Sequence, residues 1–344
     1  MTRSYVELKQ SGETAAGRDL LEVDGFTMDY ASVDGRVRVL ENVSLRIKKG
    51  EIVGVVGESG SGKTTLGLAI IGLLDSPPAD IISGSIVFEG KDLLKLNPDE
   101  LSHHRGPGIG MVFQESLAAL NPVYRTEAQL KESIEVLRRA QKLNLTAESE
   151  TRMMIEILND LRLDKPEVVL KKYPHELSGG MRQRISIAMA IVEKPRLLIC
   201  DEVTTGLDVY VQNRILRLLK DLNHRTGTTM ILITHDLTVA SQICDKLYVM
   251  YAGRLMEEGK TEDLVNSPKH PYTQKLMAAV PQGFVDSPPL PAPTGEAPDI
   301  RKLPTGCKFH PRCPFVMEKC KQNEAPPIET ADGRRISCWL VEEK

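Results

Sequence analysis

Two stretches of this chain place chemically active residue types at defined spacings. Gly57-Glu-Ser-Gly-Ser-Gly-Lys-Thr64 fits the pattern G-x-x-x-x-G-K-[ST]. Its glycines let successive backbone N–H groups turn inward around a polyphosphate, and a helix starting there adds the positive end of its dipole. Lys63 can then reach the β- and γ-phosphates, and the Thr64 hydroxyl can ligate Mg²⁺. The second stretch lies near the other end. Cys307, Cys313, Cys320 and Cys338 are spaced C-x5-C-x6-C-x17-C. Four thiolates fit a tetrahedral zinc ion or a 4Fe-4S cluster equally by count. Cys200 and Cys244, the remaining cysteines, read as buried packing residues.

Other stretches extend the phosphate chemistry. Arg196-Leu-Leu-Ile-Cys-Asp201-Glu202 is an apolar strand that delivers two carboxylates to its C-terminal end, where open parallel sheets hold ligands. Asp201 suits a Mg²⁺ shell through water, and Glu202 suits a general base for an attacking water. Leu177-Ser-Gly-Gly-Met181 precedes a helical pattern over residues 182–192. Ser178 is a natural helix N-cap, and Gly179-Gly180 lets backbone approach an anion closely. A second Gly-Lys-Thr, at Gly259-Lys260-Thr261, fails the loop pattern because Arg254 stands where glycine is required. It reads as a turn ahead of a helix.

These residues need elements to position them. Strand patterns occur at residues 21–23, 37–39 and 43–47, a turn at Lys49-Gly50, and a buried strand at 52–56 that feeds the Gly-rich loop. A helix is expected over 64–72, a strand over 83–90, and buried strands over 196–200 and 229–234. Residues 126–172 are charged and helix-rich, without strand signals. Strands alternating with helices imply an α/β fold with a parallel, helix-flanked sheet and an inserted helical subdomain. Residues 1–20 read as a loose lead-in. Residues 281–304 are Pro-rich and read as a linker or extended arm before the cysteine module. There is no internal repeat.

Composition narrows the setting. The 344 residues are 41% hydrophobic and 26% charged, with net charge −3, so no basic field draws the chain onto nucleic acid. The start lacks the apolar core of a secretory signal, and no apolar run approaches the ~20 residues of a membrane span. A cytoplasmic setting keeps thiols reduced, which favours metal ligation over disulfides for the cysteines.

The phosphate loop and acidic strand end fit kinases, GTPases, helicases and transport ATPases alike. The Leu177–Met181 stretch decides among them, because it resembles the LSGGQ signature of ATP-binding-cassette (ABC) ATPases, with Met181 in the last position. The resemblance implies a P-loop ABC cassette: a mixed sheet core, an antiparallel β subdomain and a helical insert. It implies Gln114 as the residue sensing Mg²⁺ and the γ-phosphate, Asp208 in the loop crossing a cassette dimer, and His235 as the γ-phosphate switch. Tyr30 falls where the family stacks an aromatic on adenine. The ATP contacts implied are Tyr30, Ser59, Gly60, Gly62, Lys63, Thr64 and Thr65, with Thr64, Gln114 and Asp201 around Mg²⁺. Ser178, Gly179, Gly180 and Met181 would face the partner cassette's ATP. Val203 and Gly206 depart from common family residues without removing a chemical group.

Glu115-Ser-Leu-Ala-Ala-Leu-Asn-Pro122, residues 174–184 and His270-Pro-Tyr-Thr273 resemble the dipeptide/oligopeptide importer branch, with relatives that import nickel or oligosaccharides. That branch bears a C-terminal cysteine motif. It implies an iron–sulfur cluster on Cys307, Cys313, Cys320 and Cys338, with zinc as the alternative. Cys313-Pro314 echoes ferredoxin-type ligation, and no tight C-x2-4-C zinc pair is present. The expected division is a cassette over 21–265, its helical subdomain at about 116–176, and a metal-binding extension over 266–344. The implied partners are a second, paralogous cassette, two membrane permeases and an extracellular solute-binding protein, with the chain peripheral on the cytoplasmic face. Two competing classes fit less of the sequence. Soluble ABC proteins of translation carry two cassettes, and those of DNA repair split the cassette with a coiled coil. A P-loop kinase leaves the signature and His235 unexplained.

Overall fold

Alternating apolar and polar residues after Leu20 build two long antiparallel strands ahead of the short buried strand that feeds the Gly-rich loop. The computed structural model describes residues 19–32, 35–114, 119–278 and 298–342. In chain order come β1 (Asp19–Ser32), β2 (Gly35–Lys48), β3 (Ile52–Val56), α1 (Lys63–Ile71), β4 (Ala79–Phe88) and β5 (Lys91–Asp92). Then follow α2 (Pro98–His104), β6 (Ile109–Val112), α3 (Thr126–Gln141), α4 (Ala147–Asp160), α5 (Pro166–Leu170), α6 (Gly179–Ile191), β7 (Leu197–Asp201), α7 (Val209–Thr226) and β8 (Thr229–Thr234). The chain ends with α8 (Leu237–Ile243), β9 (Lys246–Tyr251), β10 (Arg254–Lys260), α9 (Thr261–Asn266), α10 (Pro271–Ala278), α11 (Glu318–Gln322), β11 (Ile328–Glu329), β12 (Arg335–Ile336) and α12 (Trp339–Glu342).

Contacts gather the chain into two units, one of Asp19–Ile47, Val53–Leu94 and Leu232–Lys344, the other including Lys48–Ile52 and Lys95–Ile231. The first unit holds an antiparallel sheet in the order β2-β1-β4-β5. It also holds β3, which runs parallel to β9, with β10, β12 and β11 continuing antiparallel beyond β9. The two strands expected at 37–39 and 43–47 are one strand, β2, which accommodates Asn42 at φ 50°. The described residues 266–278 and 298–342 fall in this unit, where Tyr272 and Arg312 contact the phosphate loop. Their anchor is aromatic. The rings of Tyr251, Tyr272 and Phe309 lie 4.6–5.3 Å apart, and all three are buried. Glu257 on β10 is buried and accepts the backbone N–H groups of Lys269 and His270, both at 2.9 Å.

In the second unit β6 and β7 pair in parallel, Ile109 opposite Leu197 and Val112 opposite Cys200. Helix α6 packs on β6, and α3 and α4 pack on α6. The stripe Leu130, Ile134, Leu137 on α3 and Met154, Ile157, Leu158 on α4 are buried, the spacing of an amphipathic helix face. Residues 126–170 are helix-rich as expected, and Ala147 opens a helix capped by Thr146 and Ser149. The turn from α6 to β7 tucks in a carboxylate. A Cβ added at Gly106 would lie 1.8 Å from Glu193 Oε2, and burial raises the Glu193 carboxyl to about 7.

The sign of that shift gives a prediction. Between about pH 4.5 and 7 the folded chain keeps a proton that the unfolded chain has lost, so stability falls as pH rises through this window. Glu193→Gln should raise the melting temperature of this unit at pH 8 by roughly 2–4 °C. That is the effect of about 1 kcal/mol in a domain of about 150–250 residues, discounted for the partial exposure of the side chain. At pH 4.5 the variant and the natural protein should melt together, as thermal scans at both pH values would establish.

Candidate active site

Every residue of β3 is buried, and the strand ends directly in the Gly-rich loop. Gly57 sits at φ 157°, and a Cβ there would lie 2.1 Å from the Met250 carbonyl oxygen, so no side chain fits. Gly62, at φ 96°, would meet Leu40 Cδ2 at 2.8 Å. Lys63 opens α1 and is buried. Its Nζ donates to the carbonyls of Gly57 at 2.9 Å and Glu58 at 2.8 Å, and reaches Ser61 Oγ at 3.4 Å. The loop is thus folded around its own ammonium, while Ser59, Gly60 and Thr64 stay exposed. The Tyr30 hydroxyl is bonded to the Thr65 side chain, which brings this ring to the first turn of α1; burial raises its hydroxyl. Glu58 carries no signal in the sequence that marks it as a site residue. Its N–H donates to Tyr272 Oη at 2.9 Å, and its carboxylate takes a two-pronged ion pair from Arg312 at 2.7 and 3.0 Å. His235 is exposed just after β8, at a turn fixed by Asp236, whose carboxylate caps α8 through Thr238 N at 2.8 Å.

The second unit carries the acids. β7 ends at buried Asp201, and Glu202 follows with φ 44°, a left-handed conformation that costs energy in a non-glycine residue. Glu202 Oε2 accepts from Gln114 Nε2 and from Thr205 Oγ1, each at 3.0 Å. Gln114 and Glu202, read separately from sequence, therefore meet; Thr205 is an addition. Ser178 caps α6, its hydroxyl accepting Met181 N at 3.3 Å. That helix begins at Gly179, three residues before the expected 182. A Cβ at Gly180 would lie 2.7 Å from Val211 Cγ1, so the signature glycine is where α7 packs close. Asp208 caps α7 through Val211 N at 3.0 Å, and beside it Val209 and Tyr210 expose apolar side chains.

The four C-terminal cysteines line one small cavity with His270, Phe309 and Trp339. All are free thiols, and burial lifts Cys307 and Cys338 to about 11 and raises Cys313. A bound cation would offset that cost by favouring thiolates. The cavity holds about 20 Å³, room for a single small ion. Among the described residues no three His, Cys, Asp or Glu side chains are close enough to count as a metal-holding group. The convergence of thiols is therefore present, and a ligating geometry is not. Cys200 and Cys244 are buried, as expected.

The family description "ABC transporter" matches residues 40–205, and "Oligopeptide/dipeptide transporter, C-terminal region" matches residues 256–320. The chain is 42% identical to the oligopeptide transport ATP-binding protein OppD of Salmonella typhimurium, over 93% of each chain. It is 38% identical to the dipeptide transport ATP-binding protein DppD of Escherichia coli, over 93% of this chain and 96% of that one. The chain belongs to the ABC transporter family. It is an ATP-binding subunit of the oligopeptide/dipeptide type, and an ATPase. A solved dimer of the ATP-binding cassette MJ0796 bound to ADP and phosphate superposes with TM-score 0.62 at 31% identity, covering 70% of this chain and 98% of that one. Among the described residues no helix of the subunit is long and apolar enough to cross a membrane.

Two substitutions separate binding from chemistry. Lys63→Ala should abolish binding of a fluorescent ATP analogue. Glu202→Gln should keep that binding and slow hydrolysis by ~10²–10⁴-fold, the usual worth of a general base.

Proposed function

We propose that this chain energises the import of di- and oligopeptides through ATP-driven closure of a cassette dimer. The observation that carries the peptide assignment is the match of residues 256–320 to the C-terminal region of oligopeptide/dipeptide transporters, in a chain whose similarity to OppD spans 93% of both proteins. The partners are a second cassette, two membrane permeases and an extracellular solute-binding protein. The chain acts at the cytoplasmic face of the membrane.

The residues divide the work as follows. N–H groups of the Ser59–Thr65 loop and the α1 dipole hold the β- and γ-phosphates, and Lys63 moves from the loop carbonyls onto them. Tyr30 packs on adenine. Thr64, with Asp201 and Gln114, would hold Mg²⁺, which neutralises phosphate charge when bound. Glu202 takes a proton from the attacking water; the new P–O bond forms at the γ-phosphorus as the bond to the β-γ bridging oxygen breaks, and ADP leaves. Gln114 and Thr205 hold the Glu202 carboxylate in place. His235 contacts the γ-phosphate. Ser178, Gly179, Gly180 and Met181 of the opposing cassette close over the ATP, with Asp208 at the seam. Cys307, Cys313, Cys320 and Cys338 would be the donors of a thiolate-ligated group, a 4Fe-4S cluster first and zinc second, by the number and type of these ligands. Bound there, it would cross-link the extension.

Two experiments test these readings. ATP hydrolysis by the complete complex should rise several-fold when its binding protein is loaded with short peptides. Stimulation by oligosaccharides or nickel instead would reassign the cargo, and no stimulation by any solute would remove the transport reading. Protein purified without oxygen should carry about four iron and four sulfide per chain, whereas one zinc per chain and no iron would rule out the cluster.

A further inference from the structure

Glu58 poses an electrostatic problem. It is the second residue of the phosphate loop, so its carboxylate stands at the edge of a site built for a polyanion. Unit charges of like sign 4 Å apart repel by about 1 kcal/mol in water and about 4 at an effective dielectric near 20. The loop tolerates this acid because all three of its polar groups are held. The carbonyl accepts Lys63 Nζ, the N–H donates to Tyr272 Oη, and the carboxylate accepts the Arg312 fork. Two of the three holders come from beyond residue 265.

Those two are themselves rigid. Tyr272 is buried, with its ring against Tyr251 and Phe309. The Arg312 side chain is only 8% exposed, against 23% for Glu58. It lies over the Tyr251 ring at 5.8 Å and donates to Tyr251 Oη at 3.3 Å. Its backbone is the last residue of the single-turn helix His310–Arg312, and its carbonyl accepts Lys275 Nζ at 2.7 Å. Pro298, Ile300 and Leu303 line a cavity with Glu58, Ser59, Gly60 and Ser61, so the arm ahead of the cysteines also meets the loop.

We propose that Arg312 and Tyr272 are positioning residues for the ATP reaction, holding the Glu58 carboxylate neutralised and turned aside so that the phosphate loop accepts a triphosphate. The C-terminal extension is then part of the nucleotide site rather than an appendage. Because Arg312 directly precedes Cys313, whatever fixes the thiols also fixes the guanidinium. The inference rests on ATP occupying the Gly57–Thr64 loop and does not depend on which solute is transported.

The test is charge rescue in the full-length subunit, read by equilibrium binding of ATP and by the ATPase of the complete complex. Arg312→Met should raise the ATP Kd and KM by about 10-fold, a change of about 1.4 kcal/mol, with kcat within about threefold. Arg312→Lys, which keeps the charge and loses the fork, should fall between. Adding Glu58→Gln to Arg312→Met should recover most of the affinity, because no unpaired anion is left beside the phosphates. Tyr272→Phe should weaken binding by about threefold. Unchanged Kd in Arg312→Met would overturn the proposal. So would weakened binding that Glu58→Gln fails to rescue, since that is the behaviour of a mere structural anchor. If Arg312→Met does not fold, the ordering of the natural protein, Arg312→Lys and Arg312→Lys with Glu58→Gln decides the same question. Failure of the natural protein to bind ATP would sink the nucleotide reading first, and this one with it.

Discussion

A buried ammonium organises this molecule. Lys63 sits inside a loop whose carbonyls it satisfies, at 2.8–2.9 Å from Gly57 and Glu58. A lysine can be buried only if its donors are met. The loop must therefore wrap around it, and only glycine at position 57 lets the backbone pass the Met250 carbonyl closely enough. That wrapping leaves the Ser59–Gly60 segment exposed and starts α1 at Lys63, at the positive end of the helix dipole. In the proposed function, the ammonium would exchange these carbonyl partners for phosphate oxygens when a triphosphate arrives. The site is preorganised, and its ordering cost is met during folding rather than on binding.

The same logic reaches the far end of the chain. A loop that folds onto its own lysine also brings the Glu58 carboxylate to the phosphate edge, and the extension answers with Arg312. The extension in turn stays in place through the Tyr251, Tyr272 and Phe309 rings, the strand pairing of β12 with β10, and buried Glu257. The segment is poor in apolar residues, so a few aromatic contacts and ion pairs must do what a hydrophobic core does elsewhere. A thiol-bound group at the cysteine cavity would add a cross-link of the kind small modules need.

Much of this is legible in the residues. β3 and β8 have the bounds expected for them, because uninterrupted apolar runs between turn signals leave little choice of register or length. The Gln114 role rests on the family resemblance, and its hydrogen bond to Glu202 is consistent with it; the cap at Ser178 follows from the residue type alone. The expected start of α6 falls three residues late because glycine is a poor helix former, yet Gly179 and Gly180 lie inside the helix that Ser178 caps. Strand β10 carries little strand signal because Glu257 and Glu258 interrupt its apolar pattern, and Glu257 is buried where the extension supplies its donors; β9, an apolar and aromatic run, is legible. β6 has four residues including Gly110, too short for a periodic signal. The pairing of Glu58 with Arg312 spans 254 positions, a separation at which one sequence holds no trace of contact. Residues 1–18, 115–118 and 279–297 lie outside the described residues, including most of the expected lead-in and much of the Pro-rich linker.

The central claim is that ATP turnover on this chain drives peptide across a membrane. The most direct measurement is uptake of a radiolabelled short peptide into vesicles carrying the complete complex, with its binding protein and ATP on the appropriate sides. Concentrative, ATP-dependent accumulation that vanishes with Glu202→Gln in this subunit is the predicted result. ATP hydrolysis without accumulation, or equal accumulation with the Gln variant, would contradict it.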